Sequence, residues 1–314
     1  MTKPDPIETW QRRRRRFWRI VGVLLLVAVA VTGYRVWQAV SRVNDALWGF
    51  EPPEMRAARF QKQPVLRANL GGMPVAIPWH FAEYVEYDGD PGFGEKRKGP
   101  KPVRTPESRI ASFGFYMRYT DGMGLETWAL RQEMKKQSLK GDSPWVDVTL
   151  ISGEIFPGDG FMDVGAREAL KPLNYPEDDY FLQPEKIYGL EVYVQTNIDP
   201  DTGRPFNEGK WGEDLFMARR PDGHVEAIIQ CSNRKVPSPP CKHGFSMEPE
   251  ARIDVSVLYS RHLLPHWKEI QAQVRRRILS FRIPPGQSES PASREAARHR
   301  REREARAQNP VDQP

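Results

Sequence analysis

The sequence predicts an α+β fold in which a single N-terminal transmembrane helix precedes a mostly antiparallel sheet domain with a C-terminal amphipathic helix packed on it. Three observations predict this class. One long apolar run lies near the N-terminus, alternating apolar residues recur between turn signals, and an apolar stripe with helical spacing lies near residue 270. The 29 prolines among 314 residues also favour short strands and loops over a helical bundle.

The apolar run spans residues 17–34, and its length and flanks predict a membrane-spanning helix. Eighteen helical residues rise about 27 Å, close to the roughly 30 Å of a hydrocarbon core. Aromatic and basic residues typical of the membrane interface lie at both ends; they are Arg16, Trp18, Arg19, Tyr34 and Trp37. We therefore predict a short basic cytoplasmic segment over residues 1–16 and a transmembrane signal-anchor helix over residues 17–37.

Basic residues predict the orientation of this helix. They cluster before the run, whereas only Arg35 and Arg42 follow closely. By the positive-inside rule, the N-terminus stays in the cytoplasm and the rest of the chain is exported. These features predict a bacterial single-pass inner-membrane protein with a periplasmic C-terminal domain, so that inner-membrane lipid is one expected partner.

A cleaved signal peptide is the alternative interpretation of the same run. Ala28 and Ala30 fit a small-residue cleavage site, so cleavage after Ala30 stays open. Apolar residues nevertheless continue at helical spacing beyond that site; they are Val36, Val40, Val43 and Leu47. This continuation favours a retained anchor, followed by a juxtamembrane helix and linker over residues 38–62.

Residues 63–283 are predicted to form the exported α+β domain. Strands are expected where apolar residues alternate between turn signals; they are 65–70, 75–87, 109–119, 145–151, 187–196, 215–219, 225–231 and 253–257. Shorter helices are expected over 126–137 and 161–170. The C-terminal helix is predicted by a stripe of residues three and four apart; its members are Leu263, Trp267, Ile270, Val274, Ile278 and Phe281.

Two cysteines, Cys231 and Cys241, lie in the predicted exported domain. An even pair in an oxidising compartment predicts a disulfide. The proline-rich segment between them is not expected to form a regular ladder, so the disulfide would hold an otherwise irregular loop. A zinc site with His243 lacks the usual ligand spacing.

The distribution of charge along the chain excludes nucleic acid as a partner. Residues 1–19 carry a net charge of +5 and residues 284–314 a net charge of +1, so residues 20–283 are neutral overall. A body without a basic surplus lacks the electrostatic attraction that nucleic acids require. The tail over 284–314 has almost no apolar residue to bury, and we expect it to be disordered.

Familiar catalytic, metal-binding and nucleotide-binding motifs are not found in the sequence, and we expect no catalytic residue, cofactor or metal. Two acidic turns, 88–92 and 199–203, leave calcium binding open, although ordinary turns select the same residues. An aromatic and acidic stretch is the candidate surface for a basic partner or a sugar; its residues are Trp79, Glu83, Tyr84, Glu86 and Asp88.

The function predicted from these features is that of a membrane-anchored periplasmic protein-binding domain without catalytic activity. Its partner would be another envelope or secreted protein, with the chain acting as a complex subunit or an inhibitor. One version is an immunity protein against a periplasm-acting toxin. The alternatives are a hydrolytic enzyme that acts on the envelope with Glu83, Glu86 and Asp88 as acid/base groups, and a structural membrane anchor.

Overall fold

The computed structural model describes residues 31–36, 65–91, 95, 99–100, 102–138, 140–171, 179–209 and 211–308. The chain divides into two compact units, Met1–Gln61 and Lys62–Pro314. The second unit is a mixed α+β domain with a large sheet. Its helices are α1 Trp128–Gln137, α2 Phe161–Ala169, α3 Trp267–Ser280 and α4 Pro291–Gln308.

Eleven strands form the sheet, in the spatial order β2-β1-β4-β5-β11-β10-β9-β8-β7-β6, with β3 paired to β4. All pairs are antiparallel except β1 with β4, which run parallel over a short stretch. The strands are β1 Val65–Leu70, β2 Met73–Pro78, β3 Tyr84–Tyr87, β4 Arg109–Arg118, β5 Trp145–Ile151, β6 Phe181–Leu182, β7 Glu191–Val194, β8 Glu213–Arg219, β9 Val225–Ser232, β10 Pro240–Ser246 and β11 Asp254–Ser260.

The structure corrects the prediction of a transmembrane helix over residues 17–37. No helix in the described part of the chain is both long and apolar enough to cross a membrane. Of residues 17–37, the structure describes only residues 31–36, which are helical. The prediction of a single-pass inner-membrane protein with a periplasmic domain was therefore wrong by this test. The exposed Tyr34 is described; Arg16, Trp18, Arg19 and Trp37 lie outside the described residues.

Helix α3 packs its apolar stripe on one face of the sheet and forms the core there. Trp267, Ile270, Val274 and Ile278 are all buried. Inward residues of the strands meet this stripe because side chains alternate between the two faces of a strand. On β5, for example, Val146, Val148 and Leu150 are buried. One face of the central strands is thus committed to the core.

The disulfide between Cys231 and Cys241 is confirmed. The two cysteines face each other directly in the ladder between β9 and β10. The bridge therefore joins two paired strands and closes the irregular segment 233–239 between them, which the strand ladder holds as well. Pro240 begins β10, at a strand end where proline is tolerated.

The C-terminal region differs from the predicted disordered tail, because residues 291–308 form helix α4. The Ser290 hydroxyl accepts a hydrogen bond from the Ser293 backbone N–H at 3.1 Å, which caps the helix. Both hydroxyls donate to the Ala76 carbonyl on β2, at 2.6 Å and 3.0 Å. Ala292 is only 2% exposed. Buried serines and an alanine thus dock the start of α4 without a large apolar stripe.

Substituting Ala292 with glutamate is expected to destabilise the protein by at least about 2 kcal/mol, because it places a charge in this buried contact. Ala305→Glu is the matched control, since Ala305 is an exposed residue of the same helix and should change stability by less than about 0.5 kcal/mol. Urea unfolding of both variants measures the difference. Equal, small effects would show that α4 is not docked.

Two histidines are buried in this domain. Burial, assisted by the positive charge of Arg277 and other basic groups, lowers the pKa of His80 to about 3. Burial lowers the pKa of His243 to about 4, and its hydrogen bond with Gln271 opposes this shift. His243 lies between Gln271 Oε1 at 3.0 Å and the Tyr259 hydroxyl at 3.2 Å. Both imidazoles are therefore neutral in the folded protein near neutral pH.

These histidines predict a loss of stability in acid. Above their unfolded pKa of 6.5, both histidines are neutral in the folded and in the unfolded chain, and their titration does not change the stability. As the pH falls from 6.5 towards the folded values, only the unfolded chain takes up their protons, so stability falls by about 1.4 kcal/mol per pH unit for each histidine. In urea unfolding between pH 7 and pH 5, His80→Phe should show a shallower slope than the wild type. Identical slopes would contradict the assignment to His80.

Candidate functional site: the open sheet face

Opposite α3, strands β3, β4, β5, β11 and β10 present a second face, and α1 packs at one end of it, on Arg118 and Trp145. We call this surface the open face. The strand register aligns one residue of each strand in a row across it; the row is Tyr84, Gly114, Thr149, Ser256 and Gly244. With about 4.8 Å between neighbouring strands, the row spans about 19 Å.

The centre of the open face is lined by small residues. A Cβ atom at Gly114 would lie 3.7 Å from Cδ2 of Tyr84, so the Tyr84 ring packs over the glycine, with 53% of the residue exposed. Thr149 is exposed and Ser256 half-buried. Glycine in a strand allows another chain to approach the backbone closely. The floor is thus shallow and accessible.

Two helices pack next to this floor. Arg131 of α1 forms a buried ion pair with Glu83, just before β3, at 2.8 Å, and this contact fixes α1 beside the strand. On the other side, α2 packs on β7, β8 and β9 through Met162 and Ala166. Its Gly165 lies close to Ile228 of β9. The open face is therefore bordered by α1 where β4 ends and β5 begins, and by α2 on the strands beyond β10.

Carboxylates predominate along the strands of the open face. Glu86, Asp147 and Asp254 lie there, and Glu86 accepts a hydrogen bond from the Ser112 hydroxyl at 2.9 Å. Lys242 is the lysine of β10 on the same face. Arg118, at the end of β4, is already ion-paired with acidic groups beside it. The surface is therefore acidic.

Burial gives two of these carboxylates unusual pKa values. It raises the pKa of Asp147 to about 6, with a further contribution from the negative charge of Glu83, while a hydrogen bond donated by the Tyr116 hydroxyl acts in the opposite direction. Burial also raises the pKa of Asp254, against the effect of Lys242. At neutral pH Asp147 is ionised but poorly solvated.

A cavity of about 230 Å³ opens beside Asp147, where α1 meets β4, β5 and β11. We call it the Asp147 cavity. Its lining includes Tyr116, Met134, Lys140, Trp145 and Leu258. The Trp145 indole N–H donates to Glu133 Oε1 at 3.2 Å, which fixes the ring as one wall. The cavity thus has a carboxylate set among aromatic and aliphatic side chains.

The structure brings part of the predicted partner surface to the open face. Tyr84 and Glu86 alternate outward on β3 and belong to it. Glu83 lies next to them in sequence, but its side chain is only 5% exposed in the ion pair with Arg131. Glu83 therefore acts through its charge on Asp147 and through the position of α1.

The other two members of the predicted surface lie elsewhere. Trp79, in the short helix after β2, is half-buried and packs against the core. The Asp88 carboxylate is 2.8 Å from Arg109 Nε and accepts the Glu154 backbone N–H at 3.0 Å. These contacts hold the turn after β3 against the start of β4 and the segment after β5.

The acidic turn at residues 199–203 is organised by its own hydrogen bonds. Asp199 accepts from the Asp201 backbone N–H and from the Thr202 hydroxyl, both at 2.8 Å. The bond from Thr202 is the main cause of the lowered pKa of Asp199. Among the described residues, no group of three or more His, Cys, Asp or Glu side chains could hold a metal ion.

Sequence reasoning missed most of the open face, notably Tyr116, Asp147, Thr149, Ser256 and Leu258. The alternation on β5 was available and places Asp147 and Thr149 opposite the buried valines. It does not reveal which outward faces a helix covers. That depends on where α1 and α2 dock, which the sequence pattern of the strands does not encode.

Comparison with known proteins gives two distant structural likenesses. No family model and no curated protein matches the chain. An immunity protein of the Stenotrophomonas maltophilia type IV secretion system aligns with a TM-score of 0.45 and 16% identity, over 70% of this chain and 94% of that one. The Neisseria meningitidis iron-regulated outer membrane lipoprotein FrpD aligns with a TM-score of 0.37 and 12% identity, over 69% and 92%. At such low TM-scores neither likeness supports a functional inference.

Proposed function

We propose that this chain is a non-catalytic protein-binding domain that receives a basic partner protein on its open face. The observation that carries the proposal is the composition of that face. An antiparallel sheet can face water on one side, usually through long polar side chains. Here the central row is glycine, threonine and serine, flanked by the exposed Tyr84 and Leu258, which suits close contact with another protein.

Charge favours a basic partner. The three carboxylates of the open face attract positive groups, steer association and disfavour acidic competitors. Exposed tyrosine beside small residues is typical of residues that contribute much of the free energy of binding. The central row, about 19 Å across five strands, accommodates a helix or a pair of strands from the partner.

Within this class, we propose that the chain acts as an inhibitor, in one version an immunity protein that neutralises a toxin. A domain whose open face covers a basic surface of an enzyme can block that enzyme without chemistry of its own. Co-expression of this chain with the toxin encoded nearest to it tests this version. Survival that depends on Ser256 remaining small supports it, and survival unaffected by Ser256→Arg contradicts it.

Affinity capture with the full chain tests the general proposal. Wild-type protein and the Ser256→Arg variant are each incubated with extracts of the source cells, and retained proteins are identified by mass spectrometry. Ser256 lies in the central row and is half-buried, so arginine there obstructs the floor. A protein held by the wild type, lost with Ser256→Arg and bound again when purified supports the proposal. The same proteins retained by both, or none by either, contradicts it.

The geometry does not favour the hydrolytic alternative built on Glu83, Glu86 and Asp88. Each of these carboxylates already has a structural contact, with Arg131, Ser112 and Arg109 respectively. A general acid or base needs a position from which it reaches substrate. Only Glu86 is exposed enough to do so.

A further inference from the structure

We propose that the Asp147 cavity receives the side chain of one arginine or lysine of the partner protein. This inference rests on the proposed function and names the group by which a partner is held. A cationic head would lie against Asp147 and its aliphatic stem along the apolar walls. Three properties of the cavity favour this occupant: its unmatched charge, its size and its lining.

The acidic side chains beside Asp147 have ion-pair partners. Glu83 is 2.8 Å from Arg131, and Glu133 is 2.9 Å from Arg118. Asp147 accepts the Tyr116 hydroxyl but has no ion pair within the described part of the chain. A carboxylate removed from water without a cation is costly, and a cation supplied by a partner removes that cost.

The cavity is the right size for one long side chain. Its volume of about 230 Å³ falls below the roughly 300–1,000 Å³ of sites that hold drug-sized ligands. Met134, Trp145 and Leu258 supply apolar contacts to the methylene groups of a lysine or arginine. The rings of Tyr116 and Trp145 add a favourable environment for a cation.

The walls of the cavity are prepared before any partner binds. Trp145 is held by Glu133 at 3.2 Å, and Glu133 is in turn held by Arg118. Groups that are already ordered lose less entropy on binding, so a preformed pocket strengthens the anchor. Buried anchor side chains of this kind dominate the free energy of many protein interfaces.

Lys140 lies in an exposed turn and also contributes to the lining. Within the described contacts it forms no ion pair with Asp147. A lysine at the entrance would compete weakly with an incoming cation. Lys140→Ala is therefore expected to leave binding of a cationic probe unchanged or slightly tighter, and weaker binding would contradict the inference.

A probe that needs no partner protein tests the inference. N-acetylarginine amide is titrated into the full chain and followed by the NMR signal of the Trp145 indole N–H. N-acetylcitrulline amide, which is neutral and nearly the same shape, is the matched probe. We expect a saturating shift with the arginine probe and about tenfold weaker binding of the citrulline probe, because a charge-assisted hydrogen bond is lost.

Two variants locate the probe. Asp147→Asn keeps an acceptor for Tyr116 and is expected to lose the preference for arginine over citrulline. Asp254→Asn, a carboxylate of the open face outside the cavity lining, is expected to retain it. If Asp147→Asn fails to fold, the comparison of the two probes on the wild type still tests whether the cavity prefers a cationic side chain.

The outcomes separate this inference from the proposed function. Equal binding of the two probes, or a preference that survives Asp147→Asn, overturns the inference. If Ser256→Arg still abolishes partner binding in that case, the proposed function stands without the pocket. If neither the probe preference nor a Ser256-dependent partner is found, both are overturned.

Discussion

Replacing Thr149 by arginine is expected to weaken partner binding by about 100-fold or more while leaving the folded protein intact. Thr149 lies at the centre of the open face, and its side chain is exposed, so the free domain accommodates the change. In the complex, a long cationic side chain would obstruct the floor and repel a basic partner. Like charges brought together at an interface cost several kcal/mol, which corresponds to this loss of affinity.

Isothermal titration calorimetry with the purified partner measures this loss. Thr105→Arg is the matched control, because Thr105 is an exposed threonine in the loop before β4 and does not belong to the open face. It should bind like the wild type. Both variants should unfold at nearly the wild-type temperature. Full affinity of the Thr149→Arg variant would place the interface elsewhere.

Asp147→Asn is expected to stabilise the free domain by on the order of 2 kcal/mol at pH 8. The pKa of Asp147 is 3.8 when exposed and about 6 in the folded protein. Its folded state therefore holds a proton more tightly than its unfolded state. Below pH 3.8 both states are protonated and the carboxyl costs nothing. As the pH rises from about 4 through 6, the cost of the ionised, buried group appears.

Urea unfolding of wild type and Asp147→Asn at several pH values tests this sign. The stability difference should be near its full value at pH 8 and should shrink as the pH falls towards 4. Asp254→Asn should give a smaller stability difference of the same sign. Burial raises the pKa of Asp254 too, but the charge of Lys242 opposes this shift. A wild type more stable than Asp147→Asn at pH 8 would mean that Asp147 already has a stabilising partner.

At Asp147, stability of the free domain and binding of the partner are expected to oppose each other. The same ionised Asp147 that destabilises the free domain is the group proposed to hold a cation of the partner. Functional sites commonly retain groups that cost stability. A variant that is more stable and binds less well at this single position is what the account requires.

The strands were largely predictable because the two-residue alternation of apolar side chains indicates both where a strand lies and which of its faces is buried. The alternation over residues 145–151 identified β5 with its bounds. Strand β10 was missed, because the prolines before it and His243 and Gly244 within it do not resemble an alternating apolar run. Only the ladder between Cys231 and Cys241 reveals it.

The C-terminal region and the site depend on contacts that local sequence does not show. Helix α4 lacks an apolar stripe, and it docks through Ser290, Ala292 and Ser293, small residues that look like those of a flexible tail. The acidic stretch after residue 79 was a useful signal, yet only Tyr84 and Glu86 of it reach the open face. Asp147 is 61 residues or more away from both and joins them only through strand order.

Hydrogen–deuterium exchange of the full chain, alone and bound to the captured partner, tests the central claim most directly. We expect protection on binding to be concentrated in β3, β4, β5, β11 and the adjoining α1, with Thr149 and Ser256 inside the protected segments. Where backbone amides already exchange slowly in the free domain, binding is followed instead by changes in the NMR signals of the Thr149 methyl group and the Trp145 indole N–H. Protection confined to α4, with the open face unchanged, would contradict it.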